Sequence, residues 1–277
     1  MVFSGSREHT VRGGGGLRIF VREGGNPRGP DVLLIHGYLF SSDVFVRQFE
    51  GPLSKTHRLV AMDVRGHGRS EKPDFEAAYT DARAQADDVA AVVQALGLNR
   101  PTIVGWSMGS RVALNYGWFH GYEKIGRLNL VAAVVAGPTR GPDAPLPSHL
   151  ANLLIEDEQE RLRATEHFVE SCAVGGELPR ELNATFVQAA MTVPLAARRG
   201  SRRWPIHYAE RLPDLTTPLL VTHGASDPLV PEVSSRDLAA LTRAGRLSVI
   251  GGGHLAFLQD AQRFDRELAA FTSEAVA

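Results

Sequence analysis

Three side-chain types in this chain have the placement needed for acyl transfer: a serine between glycines, a histidine on a glycine loop and an aspartate on an Asp-Pro turn. Ser107 sits in Val104-Gly105-Trp106-Ser107-Met108-Gly109, after the β-rich run Thr102-Ile103-Val104 and before the helix-like run Arg111 to Leu114. In a strand–turn–helix context the pattern G-x-S-x-G has a physical meaning. Gly105 and Gly109 relieve crowding at a turn sharp enough to lift the serine hydroxyl above its strand end. A serine hydroxyl is a poor nucleophile at neutral pH and needs a base. His254 follows Gly251-Gly252-Gly253 after an apolar run, and its neutral imidazole can take the Ser107 proton and return it to a leaving group. Asp227, on the loop His223-Gly224-Ala225-Ser226-Asp227-Pro228, can fix the tautomer of that imidazole and stabilise its charged form. Each residue also has a plainer reading: a glycine turn, a surface histidine, a turn-forming Asp-Pro. The chain order Ser107, Asp227, His254, each at a strand end, favours chemistry. A role for Asp143 instead of Asp227 would put the acid after an earlier strand.

A developing oxyanion needs two donors. The backbone N–H of Met108, at the start of a helix, supplies one. The loop after the first long buried strand supplies the second, through the backbone N–H of Tyr38, just past His36-Gly37. His36 itself reads as a loop-bracing residue.

These residues require a sheet whose strands end together. Asp31 to Ile35 and Leu59 to Met62 are continuous apolar runs, as in strands buried on both faces. Thr102–Val104, Leu128–Val135, Thr217–His223 and Leu247–Ile250 continue the series, and His9–Arg12, Gly13–Gly16 and Leu17–Val21 read as an opening hairpin. Ala82, Ala86, Val89, Val93 and Leu96 make one apolar stripe of a helix, with Thr80 as its expected N-cap and Gly97 as its stop. Phe257, Ala261, Phe264, Leu268 and Phe271 make another. Alternating strands and helices imply an α/β fold with a mostly parallel sheet, right-handed crossovers and helices on both faces. Ligands in such sheets gather beyond the carboxyl ends of the strands. From Gly137 the texture changes: Pro138, Pro142, Pro145 and Pro147 lead into a stretch that reads as helices to about Pro213.

At 277 residues the chain can bury one large core with an insertion, and 43% hydrophobic against 22% charged residues is ordinary for a globular protein. Lys plus Arg (30) nearly cancels Asp plus Glu (31), so no global field points to nucleic acid or an anionic membrane. No signal-like core opens the chain, and the single Cys172 allows no internal disulfide, so a cytoplasmic location is expected. The expected assembly is a monomer or a homodimer. No His/Asp cluster has metal-ligand spacing, so neither metal nor cofactor is expected.

The motifs His36-Gly37-Tyr38, Asp63-x-Arg65-Gly66-His67-Gly68-x-Ser70, Gly105-x-Ser107-x-Gly109, Gly224-x-x-Asp227 and Gly253-His254 resemble those of α/β-hydrolases of the esterase, lactonase and cofactor-free haloperoxidase-like group. The resemblance implies an α/β-hydrolase fold: an eight-stranded sheet in a core of residues 1–137 and 216–277, with a helical cap, residues 138–215, inserted after the sixth strand. It also implies that the Arg65-Gly66-His67-Gly68 turn is architectural. The chain departs from many relatives at Ser110, at Trp106 before the nucleophile, and at Leu39, where perhydrolase-type relatives carry proline.

The expected reaction is metal-free hydrolysis of a small carboxylic ester or lactone through an acyl-enzyme on Ser107. Alternatives are action on acyl-homoserine lactones, C–C bond hydrolysis or perhydrolysis with the same three residues, and a ligand receptor that keeps the fold without turnover. Leu39, Phe40, Trp106 and Leu255, with Met191 and Trp204 of the insertion, are the expected substrate contacts. The basic run Arg198, Arg199, Arg202, Arg203 reads as a solvated helix face or as a greeting for an anionic substrate group.

Overall fold

A computed structural model describes the chain except for residues 1, 2, 4, 134–147, 203–207, 209–211, 213, 214, 244 and 275–277. Eight strands form one sheet: β1 Arg7–Arg12, β2 Arg18–Gly25, β3 Asp31–Ile35, β4 Arg58–Met62, β5 Thr102–Trp106, β6 Arg127–Val131, β7 Leu219–Gly224 and β8 Gly245–Ile250. Their order is β1-β2-β4-β3-β5-β6-β7-β8, with β2 antiparallel to both of its neighbours, β1 and β4, and every other pair parallel. The expected hairpin is present, with Thr10 opposite Phe20.

Register decides where the chemistry lies. Ile35 pairs with Met62 and Gly105, Trp106 with Val131, Val131 with Thr222, and Gly224 with Ile250. The parallel strands therefore end along one edge, and the loops carrying Tyr38, Ser107, Asp227 and His254 all leave from it. The pleat sends alternate residues to opposite faces. Val32, Leu34, Val104 and Trp106 enter one core, and Leu33, Ile35, Ile103 and Leu130 the other.

The helices used below are α1 Ala82–Ala95, α2 Met108–His120, α3 Glu158–Cys172, α4 Arg180–Met191, α5 Leu195–Gly200 and α6 Ala261–Ser273. The expected stripe of α1 is buried at Ala82, Ala86 and Val89. Its N-cap, however, is Asp81, whose carboxylate accepts from Arg83 N at 2.8 Å. Thr80 instead ends a short helical turn, Ala77–Thr80, and its hydroxyl bonds back to Ala77. An aspartate one residue closer reaches the free N–H groups and adds a favourable charge at the helix start.

β6 stops at Val131, short of the expected Val135; Val134 and Val135 lie outside the described residues, as do the four prolines that follow. Between β6 and β7 every described regular element is helical. Among the described residues no helix is long and apolar enough to cross a membrane.

Candidate active site

Ser107 adopts φ 52° and ψ −114°, a conformation that L side chains rarely hold and that costs of order 1–3 kcal/mol. The surrounding contacts impose it. A Cβ on Gly105 would lie 2.7 Å from the Ser110 Cα and 2.6 Å from the Gly109 carbonyl; one on Gly109 would lie 2.3 Å from the Ile35 carbonyl. Only glycine fits either position, which is the steric content of the sequence pattern. Ser107 N donates to Val131 O at 2.8 Å, tying the turn to β6. Ser110 is accommodated without loss, its hydroxyl donating to Gly105 O at 2.5 Å. Met108 opens α2, so its N–H has no acceptor within the helix.

Asp227 and His254 meet although 27 residues separate them. His254 Nδ1 lies 2.7 Å from Asp227 Oδ2. Burial pushes the Asp227 carboxyl up, but the His254 bond and charge and the N–H groups of Val230 and Leu229 outweigh it and leave it below its ordinary value. The ionised carboxylate can only accept, so Nδ1 carries the proton and Nε2 keeps the free lone pair. Asp227 Oδ1 is held by Leu229 N at 2.8 Å and Val230 N at 3.0 Å. The two loops fit together because Gly224 has no side chain: a Cβ there would sit 1.9 Å from Gly253 O. The histidine loop is pinned to the end of α3 by Leu255 N to Cys172 O at 3.0 Å and by Gln259 Nε2 to Ala173 O.

Tyr38, Ser107, Met108 and His254 line one cavity of about 250 Å³. The segment between β6 and β7 contributes Leu150, Phe168 and Arg202 to its wall. Arg111, Leu229 and Val230 complete the described lining, and no sequence signal singled them out. His36 braces the loop, as read from sequence. Its Nε2 accepts from Val64 N at 2.9 Å, so Nδ1 donates to Gly37 O at 2.8 Å; burial holds the ring neutral. His67 is likewise a neutral buried ring, its pKa lowered to about 3 by burial.

Of the expected substrate contacts, none of the described ones lines this cavity. Leu39, Phe40, Trp106 and Leu255 are 0–1% exposed and belong to the packed core, outside the described cavity wall. The Phe40 ring meets Trp106 edge-on at 4.8 Å, and Trp106 meets Phe257 at 5.2 Å. The apolar residues that follow a strand end here fold back onto the sheet. Met191 lines a different depression, between α3 and α4, with Glu166 and Arg180. Trp204, like Asp143, lies outside the described residues. Trp106 braces the site in another way. Its Nε1 donates to His254 O at 2.8 Å, so the residue preceding the serine holds the histidine backbone. Among the described residues no group of three or more His, Cys, Asp or Glu could hold a metal ion.

Known proteins share this fold. A putative aryl esterase from Burkholderia cenocepacia superposes with a TM-score of 0.88 at 30% identity, covering 96% of this chain and 97% of that one. An esterase from Rhodococcus sp. ECU1013 superposes with a TM-score of 0.87 at 27% identity, covering 98% and 99%. In sequence, a bifunctional esterase/perhydrolase of Acinetobacter calcoaceticus is 28% identical over 271 residues, 92% of this chain and 96% of that protein. Residues 30–261 match the family profile described as alpha/beta hydrolase fold, and with the strand order and serine turn above, the chain belongs to the α/β-hydrolase fold family.

Proposed function

We propose that the protein is a serine hydrolase that cleaves a carboxylic ester or lactone through an acyl-enzyme on Ser107. The observation that carries this reading is the 2.7 Å His254–Asp227 pair on a cavity shared with the strained Ser107. His254 Nε2 takes the Ser107 proton as the hydroxyl attacks the carbonyl carbon. Asp227 holds the imidazole in the required tautomer and stabilises its cation. The backbone N–H groups of Met108 and Tyr38 receive the developing oxyanion. The proton then passes from His254 to the leaving alkoxide, and a water activated by the same imidazole releases the acid. Residues 138–215 act as the cap of this site, a role supported by Leu150, Phe168 and Arg202 in the cavity wall.

The test is hydrolysis of p-nitrophenyl esters of increasing acyl length, and of acyl-homoserine lactones, by wild type and Ser107→Ala. Turnover by the wild type that vanishes in the variant is the expected result. Equal turnover by both proteins would remove Ser107 as nucleophile.

A further inference from the structure

The basic run at 198–203 does not act as one surface. Arg198 is fully buried and donates to the carbonyls of Val193 (3.1 Å), Leu153 (3.1 Å) and Ala190 (2.7 Å), tying the inserted helices together. Arg199 pairs with Glu156 at 2.9 Å on the exterior. Arg202 turns into the Ser107 cavity, with its guanidinium carbon 5.6 Å from the Tyr38 ring centroid. Its Nε is buried and has no hydrogen-bond partner among the described residues. Arg111, on α2 just past the serine, lines the same cavity. No aspartate or glutamate stands among the described wall residues; the remaining side chains include Leu150, Phe168, Leu229 and Val230.

A guanidinium stays charged at any working pH, and two of them in one cavity repel each other. Burial lowers the Arg111 pKa, and the nearby Arg202 charge lowers it further. A neutral acyl chain would fill the apolar part and leave Arg202 without a counter-charge among the described wall residues. The Arg202 guanidinium on this wall is a planar, permanently charged donor of the kind that pairs with a carboxylate. At about 250 Å³ the cavity lies below the usual ~300–1,000 Å³ of ligand sites, which favours a short molecule.

Resting on the ester-hydrolase reading above, we propose that the cavity selects an ester bearing a free carboxylate, such as the half-ester of a short dicarboxylic acid, with Arg202 binding that carboxylate. Arg202 is then a specificity residue: it touches the substrate away from the scissile bond and sets which esters enter.

The experiment compares monomethyl glutarate with dimethyl glutarate as substrates for wild type, Arg202→Gln and Arg202→Lys. In parallel, calorimetry follows the binding of both compounds to Ser107→Ala with and without Arg202→Gln. The wild type should favour the half-ester. Arg202→Gln should lower the anionic-to-neutral ratio of kcat/KM by about 10- to 100-fold, mostly through KM, as expected for losing a hydrogen bond to a charged group. Arg202→Lys should restore part of it. Hydrolysis of both esters with a ratio indifferent to residue 202 overturns the carboxylate subsite and leaves the ester reading standing. Arg202-dependent binding of the half-ester without hydrolysis of either compound overturns the ester reading and keeps the subsite. Neither binding nor hydrolysis overturns both.

Discussion

Replacing Trp106 with Phe tests whether the residue before the serine positions the histidine. The indole is 1% exposed, and its Nε1 bonds the His254 carbonyl at 2.8 Å. Phenylalanine keeps most of the ring packing against Phe40 and Phe257 but lacks the donor. A buried carbonyl left without its partner costs about 1–3 kcal/mol. Removing three buried ring atoms adds roughly 2 kcal/mol at about 0.8 kcal/mol per methylene-sized group. The expected loss is therefore about 3–5 kcal/mol, a large part of the ~5–15 kcal/mol that holds a typical domain folded. Urea unfolding followed by circular dichroism measures it, since removing a tryptophan would confuse a fluorescence signal. Steady-state kinetics on the same variant should show kcat falling more than KM changes, because in the proposed mechanism the loosened His254 acts on the chemical step. A loss below about 1 kcal/mol with unaltered kcat would refute the reasoning, since it would leave both the lost bond and the lost ring atoms without effect.

Two further predictions concern carboxylates. Asp227→Asn should leave the fold intact and lower kcat on the order of 10⁴-fold, as expected when the imidazole loses its tautomer-fixing acceptor; a loss of tenfold or less would deny Asp227 that role. Asp265, 3% exposed on α6 with Gln48 as partner, has its pKa raised by burial to about 6 from 3.8. A carboxyl whose folded pKa is raised contributes stability that is fully present below about pH 4 and lost as pH rises through about 6, a total of about 3 kcal/mol. Asp265→Asn should therefore raise Tm relative to wild type at pH 8 and not at pH 4; an equal change at both pH values would contradict that sign.

Much of the architecture could be read from sequence because apolar strands buried on both faces leave uninterrupted Val, Leu and Ile runs. The Ser107 turn was legible for a similar reason: the backbone approaches so closely that only glycine fits at 105 and 109, and that requirement is written in residue type. The contact between Asp227 and His254 was less legible. Spacing places each at a strand end, but adjacency of β7 and β8 is a property of the sheet order. The cavity wall was legible least. Arg111 and Arg202 look like any exposed helical arginines in a string of letters, and only packing turns them inward. Leu39, Phe40 and Leu255 erred in the opposite direction, since apolar residues beside a strand end suit a pocket and a core equally. At Thr80 and Asp81 both residues are good caps, and one residue of phase separated the two choices.

The interlock of Gly224 with Gly253 has a consequence for engineering. A loop graft from a relative brings its own backbone path, and any path that puts a side chain at 224 or shifts the Gly253 carbonyl inward collides, since a Cβ at Gly224 would lie 1.9 Å from Gly253 O. Ser226 N to Gly252 O at 2.9 Å and Ala225 N to Ile250 O at 2.9 Å tie the two loops together. The acid loop and the histidine loop are one exchangeable cassette, 224–254, with β8 as its spine. Recombination breakpoints inside that interval should yield misfolded chimeras, while breakpoints on either side should be tolerated.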